Sequence, residues 1–155
     1  MNKTEEVLVS IRRVIRATDL QSKQLAKISG LTAPQIMLMR AINKHPNATI
    51  REIADNINLS QATVTTIIDR LEKRELVVRI RSQTDRRKVH VALTESGVIA
   101  IDTAPTLLQG HFVDRFSALA EWEQNMIIAS LQRVAEMMDA QDIEAAPMLE
   151  VGALD

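Results

Sequence analysis

A chain of 155 residues with 19 basic and 20 acidic side chains is almost neutral, so its global charge points to no polyanionic partner. It has no Cys, which excludes disulfides and thiol redox chemistry, and its only aromatics are Phe112, Phe116 and Trp122, so the core must be aliphatic. No apolar run approaches the ~20 residues that span a bilayer, and charges interrupt the N-terminal stretch where a signal peptide needs an apolar centre. The expectation is a soluble, cytoplasmic protein with no membrane partner.

Thr4 reads as the cap of a first helix, with Glu5 and Glu6 near the positive end of its dipole. Leu8, Ile11, Ile15, Leu25 and Ile28 form a stripe along it, Thr18 and Ser22 share that line, and Gly30 is a natural stop. A helix of about 25 residues is ~37 Å long, more than a small domain covers, and it needs other long helices beside it. Leu31-Thr32-Ala33-Pro34-Gln35-Ile36 opens a second helix, with Thr32 and Gln35 as a capping box and Leu31 and Ile36 as a staple. That helix runs to about Asn43, and His45-Pro46-Asn47 breaks it. Thr49 and Glu52 form another capping box, before a short helix carrying Ile50, Ile53, Ala54 and Ile57. A turn over Asn56–Leu59 follows.

Ser60 caps the next helix, with Leu59 and Val64 as its staple. Val64, Ile67, Ile68 and Leu71 recur at helical spacing and should be buried, which leaves Gln61, Thr65, Thr66, Asp69, Arg70 and Lys73 as a polar strip. The chain then alternates. Val78 and Ile80 point one way, Arg79 and Arg81 the other, and Val89, Val91 and Leu93 repeat the period of two. Ser82 to Lys88 is a polar, basic hairpin tip. Residues 70–88 hold eight bases and three acids, a net of +5, whereas residues 117–155 hold one base and eight acids, a net of −7. A local positive field concentrates a polyanion at one place, and an acidic remainder discourages it elsewhere. Helix, turn, helix and basic ribbon are the parts of a winged helix-turn-helix, which implies double-stranded DNA as the partner.

Beyond the ribbon, Thr94 caps a helix stapled by Leu93 and Val98. Pro105 is expected to bend it, with the helix continuing through Leu107, Leu108, Phe112 and Phe116. A last helix covers roughly Glu121 to Ala140, with Met126, Ile127, Leu131, Val134 and Met138 at helical spacing. The fold class is therefore mainly α with a small β-wing. Residues 1–30 form an N-terminal dimerisation helix, 31–93 the winged helix-turn-helix, 94–140 C-terminal dimerisation helices, and 141–155 an acidic tail. More apolar stripe than one winged domain can cover calls for a two-fold homodimer.

Within the DNA-facing surface, Gln61, Thr65 and Thr66 stand where they can reach base edges, and Ser60, Arg70 and Lys73 suit phosphates. Arg87 is the candidate for a narrow minor groove, flanked by Arg86 and Lys88, with Asp85 placed to brace its guanidinium. A turn-forming Asp85 is the plainer alternative. An ordinary surface ribbon, or a winged module that pairs with protein and not DNA, are the plainer alternatives for the whole. His45, His90 and His111 are scattered without metal-ligand spacing. No nucleophile elbow, phosphate-cradling Gly loop or paired His–acid cluster appears, so no metal, cofactor or catalytic residue is expected. Met37, Met39, Met126, Met137 and Met138 read first as core filler, with part of a small-molecule effector pocket as the alternative.

Three features together resemble the MarR family of transcription regulators. They are Leu59-Ser60 followed by Thr63-Val64-Thr65 and Asp69-Arg70-Leu71-Glu72-Lys73, then Asp85 to Gly97 with its Asp-x-Arg and Leu-Thr-x-x-Gly, and the long helices on either side. The resemblance spans about residues 5–140. It implies a homodimeric repressor with interlocking first, fifth and sixth helices and a winged helix on each side, binding a pseudo-palindromic operator. Ala120 departs from the Ser or Thr that often caps the family's last helix. Ile11 to Ala17 and Gly30 to Gln35 are similar to the branch that regulates ectoine and other compatible-solute genes, which implies an osmotic-stress role.

Overall fold

The computed structural model describes residues 2–143 together with Ala145 and Met148. The elements follow in the order α1 (Lys3–Ser29), α2 (Ala33–Lys44), α3 (Ile50–Ile57), α4 (Gln61–Lys73), β1 (Val77–Arg81), β2 (Val89–Leu93), α5 (Glu95–Thr103), α6 (Leu108–Ser117) and α7 (Glu121–Met137). They fall into two compact units, one ending at Pro105 and the other running from Thr106 to Met148. The expected acidic tail lies mostly outside the described residues.

Local chemistry explains the helix ends. α1 begins two residues earlier than Thr4 suggests. Asn2 caps it, accepting from the Glu5 amide at 2.9 Å while the Glu5 carboxylate accepts from the Asn2 amide at 3.0 Å. An amide side chain caps as well as a hydroxyl, and the pairing with Glu5 decides between them. Gly30 ends α1 at φ 65°, a left-handed conformation that costs glycine nothing. Thr32 with Gln35 and Thr49 with Glu52 make the two expected capping boxes.

Pro105 does not bend a continuous helix; it separates α5 from α6. Ala104 before it is extended, at φ −70° and ψ 138°, because the proline ring crowds the helical conformation of its predecessor. Arg40 of α2 reaches the carbonyls of Ala104 and Pro105 at 3.5 and 3.4 Å and satisfies groups that the broken helix leaves open.

The first unit is built around an aliphatic core. Ile36, Leu38, Met39 and Ile42 of α2, Ile53 of α3, and Val64, Ile67, Ile68 and Leu71 of α4 are all buried, as are Leu25, Val77 and Val91. β1 and β2 pair antiparallel with Val77 opposite Leu93, Arg79 opposite Val91 and Arg81 opposite Val89. The predicted alternation holds, but it is Val78 and Ile80 that face solvent, at 40% and 50% exposure. Val77 fixes the phase: once it is buried, a period of two sends Arg79 inward and its apolar neighbours outward. Thr49 bridges to His90 on the other edge of β2.

The ribbon is locked to α5 at its base. The Thr94 amide donates to the Leu76 carbonyl at 3.0 Å and its hydroxyl to the Glu75 carbonyl at 2.7 Å. A Cβ on Gly97 would lie 2.1 Å from the Leu76 oxygen, so only glycine permits this approach. In the second unit the Phe112 and Phe116 rings stack at 5.5 Å, and neither α6 nor α7 buries a residue. The Glu123 carboxylate accepts from the Ala120 amide at 3.0 Å, doing part of what a hydroxyl cap would do for α7.

Candidate nucleic-acid interface

α4 buries Val64, Ile67, Ile68 and Leu71, so its opposite face is free. Gln61, Ala62, Thr66, Asp69, Arg70 and Lys73 are exposed there, and Thr65 is partly exposed. Ser60 acts first as the helix cap: its Oγ accepts from the Thr63 amide at 3.1 Å and stands 2.7 Å from the Thr63 hydroxyl. Thr65 and Thr66 turn their hydroxyls back, donating to the carbonyls of Gln61 at 2.8 Å and Ala62 at 3.1 Å. Each hydroxyl proton is then spent on the helix, and the lone pairs left outward are acceptors, suited to the amino groups of adenine or cytosine. Ala62 sits in the middle of this face, and the sequence reading passed over it. Its small size was the available signal, since it lets a partner approach the helix closely.

The wing tip closes on itself. Ser82 donates its amide to the Lys88 carbonyl and Lys88 its amide to the Asp85 carbonyl, both at 2.9 Å, and Ser82 Oγ accepts from the Thr84 and Asp85 amides at 3.3 Å. Asp85 is the turn former. Its Oδ1 accepts from the backbone amide of Arg87 at 3.0 Å, and among the described residues no salt bridge joins it to the Arg87 guanidinium. The expected brace therefore acts on the backbone of Arg87 and not on its head group. A carboxylate one residue removed from a tight turn is closer to the amide than to the end of a long side chain.

Arg86, Arg87 and Lys88 are exposed, as are Arg70, Lys73 and Arg81, and none of these six makes a salt bridge among the described residues. Without an ion-pair partner, these side chains are available to an anion. Lys88 shares its field with Glu52. The Thr49 amide holds the Glu52 carboxyl below its ordinary range, the Thr49 hydroxyl adds to this, slight desolvation opposes it, and Lys88 and His90 assist.

Two of the eight bases in residues 70–88 are committed to the fold. Arg74 donates to the Gly30 carbonyl at 2.8 Å and ties the end of α4 to the end of α1. Arg79 donates Nη2 to Asp69 at 2.6 Å and Nη1 to Glu72. Desolvation works against the Arg79 charge, yet the hydrogen bonds and charges of Asp69 and Glu72 outweigh it and raise its pKa further. Counting charge along the chain could not separate these two from the free cations. The inward phase of β1, set by Val77, was the signal that picks out Arg79.

A helix pair whose second member shows a polar face, joined to a basic antiparallel ribbon, defines a winged helix-turn-helix protein. Residues 31–89 match the MarR family. The chain is 24% identical over 142 residues to the HTH-type transcriptional repressor MdtR of Bacillus subtilis, an alignment covering 90% of this chain and 92% of MdtR. The PcaV transcriptional regulator from Streptomyces coelicolor, solved in complex with its natural ligand, superposes with a TM-score of 0.57 at 22% identity, covering 83% of this chain and 90% of PcaV. The S. aureus MepR–DNA complex gives a TM-score of 0.55 at 18% identity, covering 88% of this chain and 96% of MepR. The two structural likenesses establish the fold. No helix among the described residues is long and apolar enough to cross a membrane.

Proposed function

We propose that this chain is a DNA-binding transcriptional regulator of the MarR family, a homodimeric repressor that reads a pseudo-palindromic operator. The observation that carries the proposal is the pairing of an exposed polar α4 face with a ribbon tip whose Arg86, Arg87 and Lys88 have no salt-bridge partner among the described residues. In this reading Gln61, Thr65 and Thr66 face base edges in the major groove. Ser60, Arg70 and Lys73 contact phosphates, and Arg87 enters the adjacent minor groove with Arg86 and Lys88 beside it and Asp85 holding its backbone. The repressor role draws on the likeness to MdtR, and the MepR–DNA complex supports DNA as the partner.

The homodimer is proposed from the exposed apolar residues of α1, α6 and α7, and residues 1–30 and 94–140 are assigned to it. PcaV was solved with a natural ligand, which directs a screen of small molecules as effectors of this chain. The likeness of residues 11–17 and 30–35 to regulators of compatible-solute genes directs the first target search to osmotic-stress promoters.

The test is selection of duplexes from a random pool by the purified protein, followed by footprinting. The expected result is a two-fold symmetric motif with half-sites about one helical turn, ~10 bp, apart. Recovery of no enriched motif, with no retention of duplex at low salt, would contradict the proposal.

A further inference from the structure

Arg79 differs from the cations at the wing tip. Its guanidinium spends both ends on α4, one on Asp69 at 2.6 Å and one on Glu72, and its side chain is only 27% exposed. The two carboxylates continue the ridge of α4 that carries Gln61 and Thr65, four and seven residues beyond Thr65. A single exposed ion pair contributes little, but a planar guanidinium that grips two carboxylates on one rigid helix fixes direction as well as distance. Past Arg79, Ile80 and Arg81 are exposed, and a two-stranded ribbon by itself is marginal in water. Any angular freedom at its base is magnified at a tip several residues further on.

We propose that Arg79 is the positioning residue of this surface: by clamping Asp69 and Glu72 it sets where the wing tip stands relative to the exposed face of α4. Its importance for DNA rests on the functional reading above; the clamp itself does not. A rigid link lets the α4 and wing contacts form together, since the ordering of the wing is settled before binding. Arg79 also masks two carboxylates that would otherwise face a phosphate backbone, and the test separates masking from positioning.

The chain has no cysteine, so Ala62→Cys with Gln83→Cys offers two unambiguous sites for spin labels, one on α4 and one at the tip. Labelled chains diluted with unlabelled ones report only distances within a chain by pulsed electron paramagnetic resonance. The expected result is a narrow distribution with Arg79 present and a broad one with Arg79→Met, while circular dichroism is unchanged. Should Arg79→Met fail to fold, Asp69→Asn with Glu72→Gln removes the same grip from the other side and should broaden the distribution likewise. Equal widths with and without the clamp overturn the proposal, whatever the DNA affinity.

On operator DNA, Arg79→Met should weaken binding about 10-fold, the scale of coupling between contacting residues. Adding Asp69→Asn and Glu72→Gln, which removes the unmasked charge, should leave most of that loss in place. Arg87→Ala should cost less in the Arg79→Met background than in the parent. Full recovery on neutralising the two acids would show that Arg79 only masks charge, and would overturn the positioning role. A parent that binds no duplex would count against the functional reading, and the resonance distances would still decide the clamp.

Discussion

The winged helix and the long helices use the same aliphatic residues at the same spacing, with opposite results. In α4, Val64, Ile67, Ile68 and Leu71 are all buried, against Ile36, Leu38, Met39 and Ile42 of α2 and Ile53 of α3 in a core complete within one chain. In α1 the expected stripe is largely bare: Leu8 is 54% exposed, Ile15 56% and Ile28 56%, and only Thr18 and Leu25 are buried. α7 leaves Met126, Leu131 and Met137 more than half exposed. Amphipathic spacing marks a face that needs covering but does not say which molecule covers it. For the winged helix the cover is its own chain; for the long helices we assign it to a second copy.

The comparison breaks first at α1. Ile15→Glu places a carboxylate on the proposed dimer face, and an unpaired buried charge costs several kcal/mol, so dimerisation should weaken by at least ~1,000-fold. Val78→Glu changes a residue that is also exposed, on the outer face of the wing, and should alter stability by no more than ~0.5 kcal/mol. Sedimentation velocity of both variants is the check, and a dimer that survives Ile15→Glu would remove the distinction. A smaller effect is expected inside the winged core. Ile68→Ala should cost ~2–5 kcal/mol in chemical unfolding, because its site is fully packed. The same truncation at Leu131, 61% exposed, should cost little in the isolated chain and register only as a shift in its self-association.

Gly97→Ala sharpens the contrast at the junction of ribbon and α5. The new Cβ would overlap the Leu76 carbonyl, so that backbone has to move, at ~1–3 kcal/mol by the usual cost of overpacking. A melting temperature equal to the parent's would mean that the junction is looser than the structure shows. The smallest effect concerns Glu52. Its carboxyl lies below the ordinary range, so its capping contribution is complete above the ordinary carboxylate value and is lost as the pH falls through the lowered one. Thr49→Val keeps the backbone amide but removes the hydroxyl, and should raise the Glu52 titration midpoint toward ordinary, as followed by carboxyl-detected NMR. An unchanged midpoint would assign the shift to the amide alone.

Much of the winged helix was legible in the sequence because its signals are local. Thr32 with Gln35, Thr49 with Glu52, and Ser60 each act within one helical turn, and all three cap as the spacing predicts. The two tip residues Ser82 and Lys88 bound the ribbon turn, as expected. What was not legible depends on competition or distance. Asn2 displaced Thr4 because two capping residues lay within one turn of each other. Pro105 broke the helix where a bend was expected, since its effect depends on whether Arg40, 65 residues earlier, is there to satisfy the freed carbonyl. The grip of Arg79 on Asp69 and Glu72 needs the register of β1, which Val77 sets through tertiary burial. Asp85 was expected to brace the Arg87 guanidinium, but its carboxylate accepts from the nearer Arg87 amide.

The measurement that bears most directly on the account is a fluorescence anisotropy titration against the selected operator and a random duplex over a range of salt. The parent should bind the operator more tightly, with log affinity falling linearly in log salt on both duplexes. Arg87→Ala should reduce the slope by about 0.9, the share of one phosphate-type contact, and weaken operator binding while leaving the dimer intact. Thr66→Ala should instead narrow the gap between operator and random duplex, by on the order of 1–3 kcal/mol. Affinity and slope unmoved by both substitutions would contradict the claim that α4 and the wing are the DNA-binding surface.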